Sequence, residues 1–150
     1  MAEYLSNDQQ VVNLNAPVIF SASIPCTRNL IYHEDETGLF ILKGVTNCPC
    51  SQFASYQITF NGNIALPTGA TVTPIAIAIT TNGEQRPTSK AVFTPAAVNQ
   101  FGNVTSTTII QIPRGCCFNV SVDYVAANST DTPPTSILVE NANLVITRIS

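Results

Sequence analysis

The side chains best suited to chemistry in this 150-residue sequence are five cysteines and one histidine: Cys26, Cys48, Cys50, Cys116, Cys117 and His33. Cys48-Pro49-Cys50 sits between strand-like runs and reads as a loop, whereas Cys116 and Cys117 stand side by side in "IPRGCCFNVSVDY". Zinc sites usually show paired C-x2-C knuckles, and neither a C-x-C nor an adjacent pair has that spacing. A complete intrachain disulfide framework is disfavoured by the odd count and by an N-terminus, MAEYLSNDQQ, without the basic and apolar regions of an export signal. Successive strand residues point to opposite faces. Cys116 therefore shares a side with Phe118, Val120 and Val122 and is expected in the core, while Cys117 faces outward. A bond between the two would be strained. Two readings stay open for the outward thiol: no partner at all, or a contact with Cys26, Cys48 or Cys50 of the same or a neighbouring subunit. Cys26, Cys48, Cys50 and Cys117 are thus the candidate disulfide or intersubunit cysteines.

His33 lies in "IYHEDETG" beside Glu34, Asp35 and Glu36. Clustered oxygen ligands suit Ca²⁺, but three consecutive carboxylates lack the alternating spacing of a calcium loop, and a solvated hairpin turn is the better reading. No local signature marks a Cys-His nucleophilic pair, and no Gly-rich phosphate loop follows a strand. The sequence assigns no catalytic, cofactor or metal residue, and the chain is not expected to be an enzyme. Asn103, Asn119 and Asn128 head glycosylation sequons, which an Asn- and Thr-rich chain produces by chance.

Charged residues make up only 10% of the chain, against about 25% in ordinary soluble domains. Much of the surface must then be Thr, Asn, Ser and Gln, or be buried against copies of the same chain. The net charge is −3 and the six basic residues are scattered, which argues against nucleic-acid binding. No run approaches the roughly 18 apolar residues of a membrane span, so no membrane partner is expected. Synthesis in the cytoplasm is expected, which suits resident proteins and later-exposed virion or spore-coat parts alike.

The elements that must position these residues are strands. Val, Ile, Thr, Phe and Tyr recur in short runs punctuated by Asn, Gly, Pro and Ser, and no segment sustains helical periodicity. Strands are expected over 10–13, 17–23, 30–33, 39–43, 51–61, 74–80, 91–94, 105–112, 117–125 and 135–149, the last broken near Asn141. In "SYQITF", Tyr56, Ile58 and Phe60 share one face. In "PIAIAIT", Ile75, Ile77 and Ile79 share a face and leave alanines outward, open to a neighbouring sheet or subunit. Turns are expected at "NGN" (61–63), "TNGE" (81–84), "PTGAT" (67–71) and "PRG" (113–115), with a polar loop at 128–135 and a short helical turn at 95–101. About ten short strands with regular turn signals specify an all-β, compact antiparallel β-sandwich, a jelly roll. Residues 15–150 read as the single domain, and 1–14 as an N-terminal arm, either docking or disordered.

The segments "TTIIQIPRGCCFNVSVDYV" and "SILVENANLVITRIS" carry a resemblance. Together they resemble the last third of the trimeric jelly rolls of the C1q and tumour-necrosis-factor type. More closely they are similar to the bacterial versions that cap collagen-like filaments on Firmicutes spores (BclA-like proteins). Asn141, Ala142, Leu144, Ile146 and Arg148 match that group's ending, and "FASYQITFNGNIALPTGATVTPIAIAITTNGE" fits its central hairpin and following strand. The whole chain resembles small stand-alone proteins of Firmicutes prophages, which are head-decoration or head-fibre components. Unlike the spore proteins, it has no Gly-X-Y stalk, which leaves the virion placement standing. The resemblance implies a homotrimer packed around a three-fold axis, with Tyr56, Phe60, Phe118, Tyr124, Leu144 and Ile146 in the core or at the axis. It also implies a place on a phage capsid surface, with the major capsid protein as partner through the N-terminal segment, or alternatively on a spore or cell surface. A second class of function is a glycan- or receptor-binding module using the loops 61–73 and 128–135.

Overall fold

A computed structural model describes residues 1–24, 29–130 and 132–150. Among them are twelve strands: β1 (Ala2–Ser6), β2 (Gln10–Asn13), β3 (Ala22–Ile24), β4 (Ile31–His33), β5 (Phe40–Lys43), β6 (Phe53–Ala65), β7 (Ile75–Thr81), β8 (Glu84–Gln85), β9 (Ala91–Phe93), β10 (Gly102–Pro113), β11 (Cys117–Val125) and β12 (Ser136–Arg148). They form two antiparallel sheets. The front sheet runs β10-β6-β12-β1-β3, with β2 also on β12. The back sheet runs β4-β5-β11-β7-β8, with β9 also on β7. The fold is an all-β sandwich of the jelly-roll kind.

Alternation sets which face is buried. In β6, Ala54, Tyr56, Ile58, Phe60 and Ile64 point into the sandwich, and Val120, Val122 and Tyr124 of β11 meet them from the back sheet. Burying each such side chain contributes roughly 1.5–3 kcal/mol. The Tyr56 hydroxyl also ties the sheets together, donating to the Lys43 carbonyl at 2.7 Å. In β12 the core residues change parity, from Ile137 and Val139 to Ala142, Leu144 and Ile146. A register shift between Glu140 and Asn143, with Asn141 at φ 51°, inserts the extra residue that makes the change.

Several expectations are corrected. The "NGN" stretch is not a turn, because β6 continues through it to Ala65. Gly62 there faces the core, where a Cβ would come within 2.8 Å of the Phe60 ring, so glycine serves close packing. The chain turns later, at Pro67–Ala70. The alanines of β7 are not open to a neighbour: Ala76 and Ala78 are buried beside Val125 and Ala127 in a second small cluster. Residues 95–101 form no helix and turn at Asn99, φ 59°. Over 17–23 the chain makes isolated bridges at Pro17 and Phe20 before β3 begins. Most consequentially, the N-terminal segment is not a free arm. β1 lies between β12 and β3, with Ala2 and Tyr4 buried, because the alternation Ala2, Tyr4, Ser6 supplies a core face to an otherwise unpaired β12 edge.

A 3-10 turn at Pro87–Ser89 closes the gap between the sheets near β7 and β10. The buried Ser89 hydroxyl accepts from the Ile79 amide at 2.9 Å and lies 2.7 Å from the Arg86 carbonyl, while the Ser106 hydroxyl donates to the Ser89 carbonyl. Ser89→Ala leaves the Ile79 amide without that acceptor. It is expected to lower stability by about 1–3 kcal/mol in chemical denaturation.

Candidate functional site

Three regions have the geometry to engage something else. The first is a groove of about 760 Å³ at one end of the sandwich, walled by Pro67–Thr73 and Thr132–Ser136. Each wall is fastened to the scaffold. Asn99 donates its amide N–H to the Leu66 carbonyl at 2.8 Å and its Nδ2 to Thr68 Oγ1 at 2.9 Å. On the other side, the Leu14 amide donates to the Thr135 carbonyl, and the Tyr124 hydroxyl donates to the Pro134 carbonyl at 2.8 Å. Among the described residues, its lining holds no charged side chain. It offers threonine and serine hydroxyls beside Pro67, Val72, Pro133 and Pro134, a surface suited to an uncharged, hydroxyl-bearing ligand.

Burial pushes the Tyr124 phenol up to about 12. Its ordinary value is about 10, so the folded state favours the neutral form. That contribution is fully present below about pH 10 and is lost as pH rises towards 12. Wild-type stability is expected to fall across that window, and Tyr124→Phe to flatten the fall while costing about 1 kcal/mol at pH 7 for the lost hydrogen bond, read from denaturation midpoints against pH. The neighbouring Asp123 carboxyl is likewise raised by burial, against the opposing hydrogen bond from Ser121 at 2.8 Å.

The second region, at the other end of β6, gathers the cysteines. Cys48, Cys50, Cys116 and Cys117 are all free and exposed, and Cys26 lies outside the described residues. The expectation of a buried Cys116 is corrected. The strand begins only at Cys117, and Cys116 ends a turn in which its amide donates to the Pro113 carbonyl at 3.0 Å and Gly115 takes φ 83°. Alternation does not extend through a turn, so it cannot set the side of Cys116. The loop that carries Cys48 and Cys50 is clamped to this turn. Gly44 and Cys116 share a backbone hydrogen bond, as do Arg114 and Gln52, and Arg114 Nη1 donates to the Pro49 carbonyl at 2.6 Å. A Cβ on Gly44 would collide with the Pro113 carbonyl oxygen.

His33 is separated from its carboxylates. Its ring stacks on Phe40 at 4.4 Å and packs near Tyr4, and Nε2 donates to the Thr37 carbonyl at 2.9 Å. Glu34, Asp35 and Glu36 stay exposed on the β4–β5 turn. Among the described residues, no three His, Cys, Asp or Glu side chains group so as to hold a metal ion, and no helix is long and apolar enough to cross a membrane.

The third region is the outer face of the front sheet. Its rows are Ile109–Gln57–Thr147, Thr107–Thr59–Val145 and Thr105–Asn61–Asn143. Thr59 and Thr107 hydroxyls meet at 3.2 Å, and Asn103 Nδ2 donates to Asn61 at 2.7 Å. Of the outward positions in these strands only Glu3 and Glu140 are charged, and Asn143 donates to Glu3 at 2.6 Å. Ile24, Phe53 and Ile109 are exposed at its margins. Of the core-or-axis candidates, Tyr56, Phe60, Tyr124, Leu144 and Ile146 lie in the intrachain core, and Phe118 is half-buried beside it. Of the loops expected at 61–73 and 128–135, residues 61–65 are instead the end of β6. Arg114 and the Tyr124 tether were not visible in the sequence, since each acts on a segment brought near only by folding.

No protein-family model and no curated protein sequence matches the chain. Solved structures do. The globular domain of zebrafish complement 1qA protein superposes with a TM-score of 0.60 at 12% identity, covering 97% of this chain and 92% of its own. The Eiger TNF of S. frugiperda gives 0.63 at 8% identity, covering 100% of this chain and 92% of its own. The chain therefore has the C1q/TNF-like jelly-roll fold.

Proposed function

We propose that this C1q/TNF-like jelly roll is a structural surface module that assembles as a homotrimer through the outer face of its front sheet and decorates a phage head or head fibre. The observation that carries the assembly is that face: almost free of charge, lined by Thr, Asn and Gln, and bordered by exposed Ile24, Phe53 and Ile109. A monomer facing water usually carries more charge there, and a neutral Thr/Asn surface costs less to desolvate than a charged one when its hydroxyls and amides are hydrogen-bonded across the contact. The virion placement rests on the resemblance of the whole chain to small head-decoration or head-fibre proteins of Firmicutes prophages. Attachment to a capsid then falls to the end loops, because Ala2–Ser6 is already paired within the sheet. No catalytic step is assigned to it.

Light scattering on the purified protein is expected to give three times the 16.0 kDa chain mass, with or without reductant. A monomer would sink the assembly. Mass spectrometry of purified induced phage particles tests the placement, and its absence from them would remove the virion role.

A second reading is favoured by the groove between Pro67–Thr73 and Thr132–Ser136, whose neutral, hydroxyl-rich lining suits a neutral glycan. Saturable binding on a glycan array, lost on widening the groove with Tyr124→Phe, supports it. No saturable binding leaves the structural role alone.

A further inference from the structure

We propose that a fourth region, the hollow beside the β7–β8 hairpin, binds a sugar acid, taking its carboxylate on Arg86 and its ring hydroxyls on Glu84 and the neutral side chains around it. The hairpin belongs to the back sheet, so the site does not depend on the assembly role and stays open when the outer front face is covered.

The hollow measures about 440 Å³ and is lined by Thr81, Asn82 and residues 84–88. Register brings its reactive side chains to one face. Thr81 and Glu84 are cross-strand partners, and the Arg86 amide donates to the Ile79 carbonyl at 3.0 Å. Cross-strand partners share a face, as do residues two apart in one strand, so Thr81, Glu84 and Arg86 project to the same side. The backbone of Arg86 is held there. Its carbonyl accepts from the Ser89 amide at 2.9 Å, and Pro87 fixes the next φ.

These side chains lack partners. Arg86 is half-buried, yet among the described residues its guanidinium has no hydrogen bond and no ion pair. The other described arginines are each tied to a carbonyl, Arg114 to that of Pro49 and Arg148 to that of Ser150. Glu84 is exposed and equally unpaired, although it stands two residues away on the same face, about 6.5–7 Å along the strand. Thr81 Oγ1 is buried with no hydrogen-bond partner. A cation, an anion and a hydroxyl thus border one hollow without satisfying one another.

Their chemistry gives the ligand class. A planar guanidinium with a fork of N–H donors matches a carboxylate through two parallel hydrogen bonds. Glu84 only accepts, so it suits hydroxyl donors near that carboxylate and disfavours a second anion. Gln85 and Thr88 add neutral donors and acceptors, while Asn82 Oδ1 is already engaged by the Asn119 amide at 2.9 Å. Pro87 is the one hydrophobic residue in the lining, and no aromatic ring lines it, so an apolar ligand finds little to bury against. A single carboxylate on a ring of hydroxyls, as in a uronic acid, uses all of these groups. A neutral sugar leaves Arg86 unpaired, a simple carboxylate leaves Glu84 unpaired, and an amino acid leaves the hydroxyl and amide groups unused. The groove walled by Pro67–Thr73 and Thr132–Ser136 has no such charge in its described lining and suits a different ligand.

Backbone amide shifts of the full chain are followed by NMR during titration with sodium glucuronate, glucose, acetate and alanine. Glucuronate is expected to give saturable shifts at 81–88, and the other three to bind at least about tenfold more weakly, since each leaves a charged or polar group unpaired. Arg86→Gln should weaken glucuronate on the order of tenfold or more, and Arg86→Lys, which keeps the charge but not the fork, should fall between. The amide spectrum reports whether each variant is folded, and the ligand series on wild type decides the matter should one of them unfold. The proposal is overturned if glucuronate gives no saturable shift at 81–88 or shifts 67–73 and 132–136 instead. It is equally overturned if glucose, acetate or alanine binds as tightly, or if folded Arg86→Gln binds glucuronate as well as wild type.

Discussion

Phe60→Ala is expected to remove about 3–5 kcal/mol of stability, a large share of the roughly 5–15 kcal/mol that holds a domain folded. Phe60 is fully buried in the second strand of the front sheet, paired to Ser106 of β10 on one side and Leu144 of β12 on the other. Both neighbours are locked into ladders more than eight residues long, so the backbone around the vacated ring cannot move in to fill it. Gly62, two positions along the same face, leans over the ring and has no side chain to replace it. The cost should therefore include most of the cavity term as well as the lost transfer energy. Urea denaturation should show a lower midpoint with an unchanged slope. A loss below about 1 kcal/mol would mean that the two sheets collapse onto the gap and that this part of the core is softer than its packing indicates.

How far the sequence disclosed this fold depends on the range over which each signal acts. The faces of "SYQITF" and "FNVSVDYV" were legible because alternation is a property of neighbouring residues, and Tyr56, Ile58, Val120 and Tyr124 are buried on the faces that it gives. The "TNGE" turn was legible for the same reason, since Asn82 and Gly83 take positive φ. Asn-Gly at 61–62 carried the same local signal with a different cause, the tight packing of Gly62 on Phe60, which no window of sequence displays. Cys116 failed similarly. The alternation from Phe118 onward holds, but the strand starts only at Cys117, and parity has no meaning within the turn where Cys116 lies exposed.

The candidate site was legible in parts and not as a whole. Loops 61–73 and 128–135 stood out by composition, but residues 61–65 are the end of β6, and the groove is walled by 67–73 and 132–136. What sequence could not supply is convergence. Pro134 is held where it is by a tyrosine ten residues earlier, on a strand of the opposite sheet, and the Cys48–Cys50 turn is held by an arginine 65 residues later. The role of the first residues was hidden for the same reason: Ala2–Ser6 finds its partner near the other terminus, at Ala142–Ile146.

Thr59→Lys is the substitution that separates a face built for solvent from one built for a copy of the chain. Thr59 lies at the centre of the outer front face, between Thr107 and Val145, with its hydroxyl 3.2 Å from that of Thr107. In an isolated subunit a lysine there reaches water at once, and an exposed substitution of this kind changes stability by no more than about 0.5 kcal/mol. In an assembly that covers the face, the ammonium loses water among Thr, Asn and Gln side chains, with Glu3 and Glu140 the only outward carboxylates and Glu3 already bonded to Asn143. Burying an unpaired charge costs several kcal/mol, so association should weaken on the order of a hundredfold or more. Light scattering at micromolar concentration should then shift from three chain masses to one, while circular dichroism and thermal unfolding of the monomer keep a β-sandwich signature. Thr88→Lys, at an exposed position outside that face, should leave the mass unchanged. If Thr59→Lys stays assembled, the outer front face is not the contact and the subunits meet through another surface. If both variants fall apart, the assembly answers to net charge and not to this face.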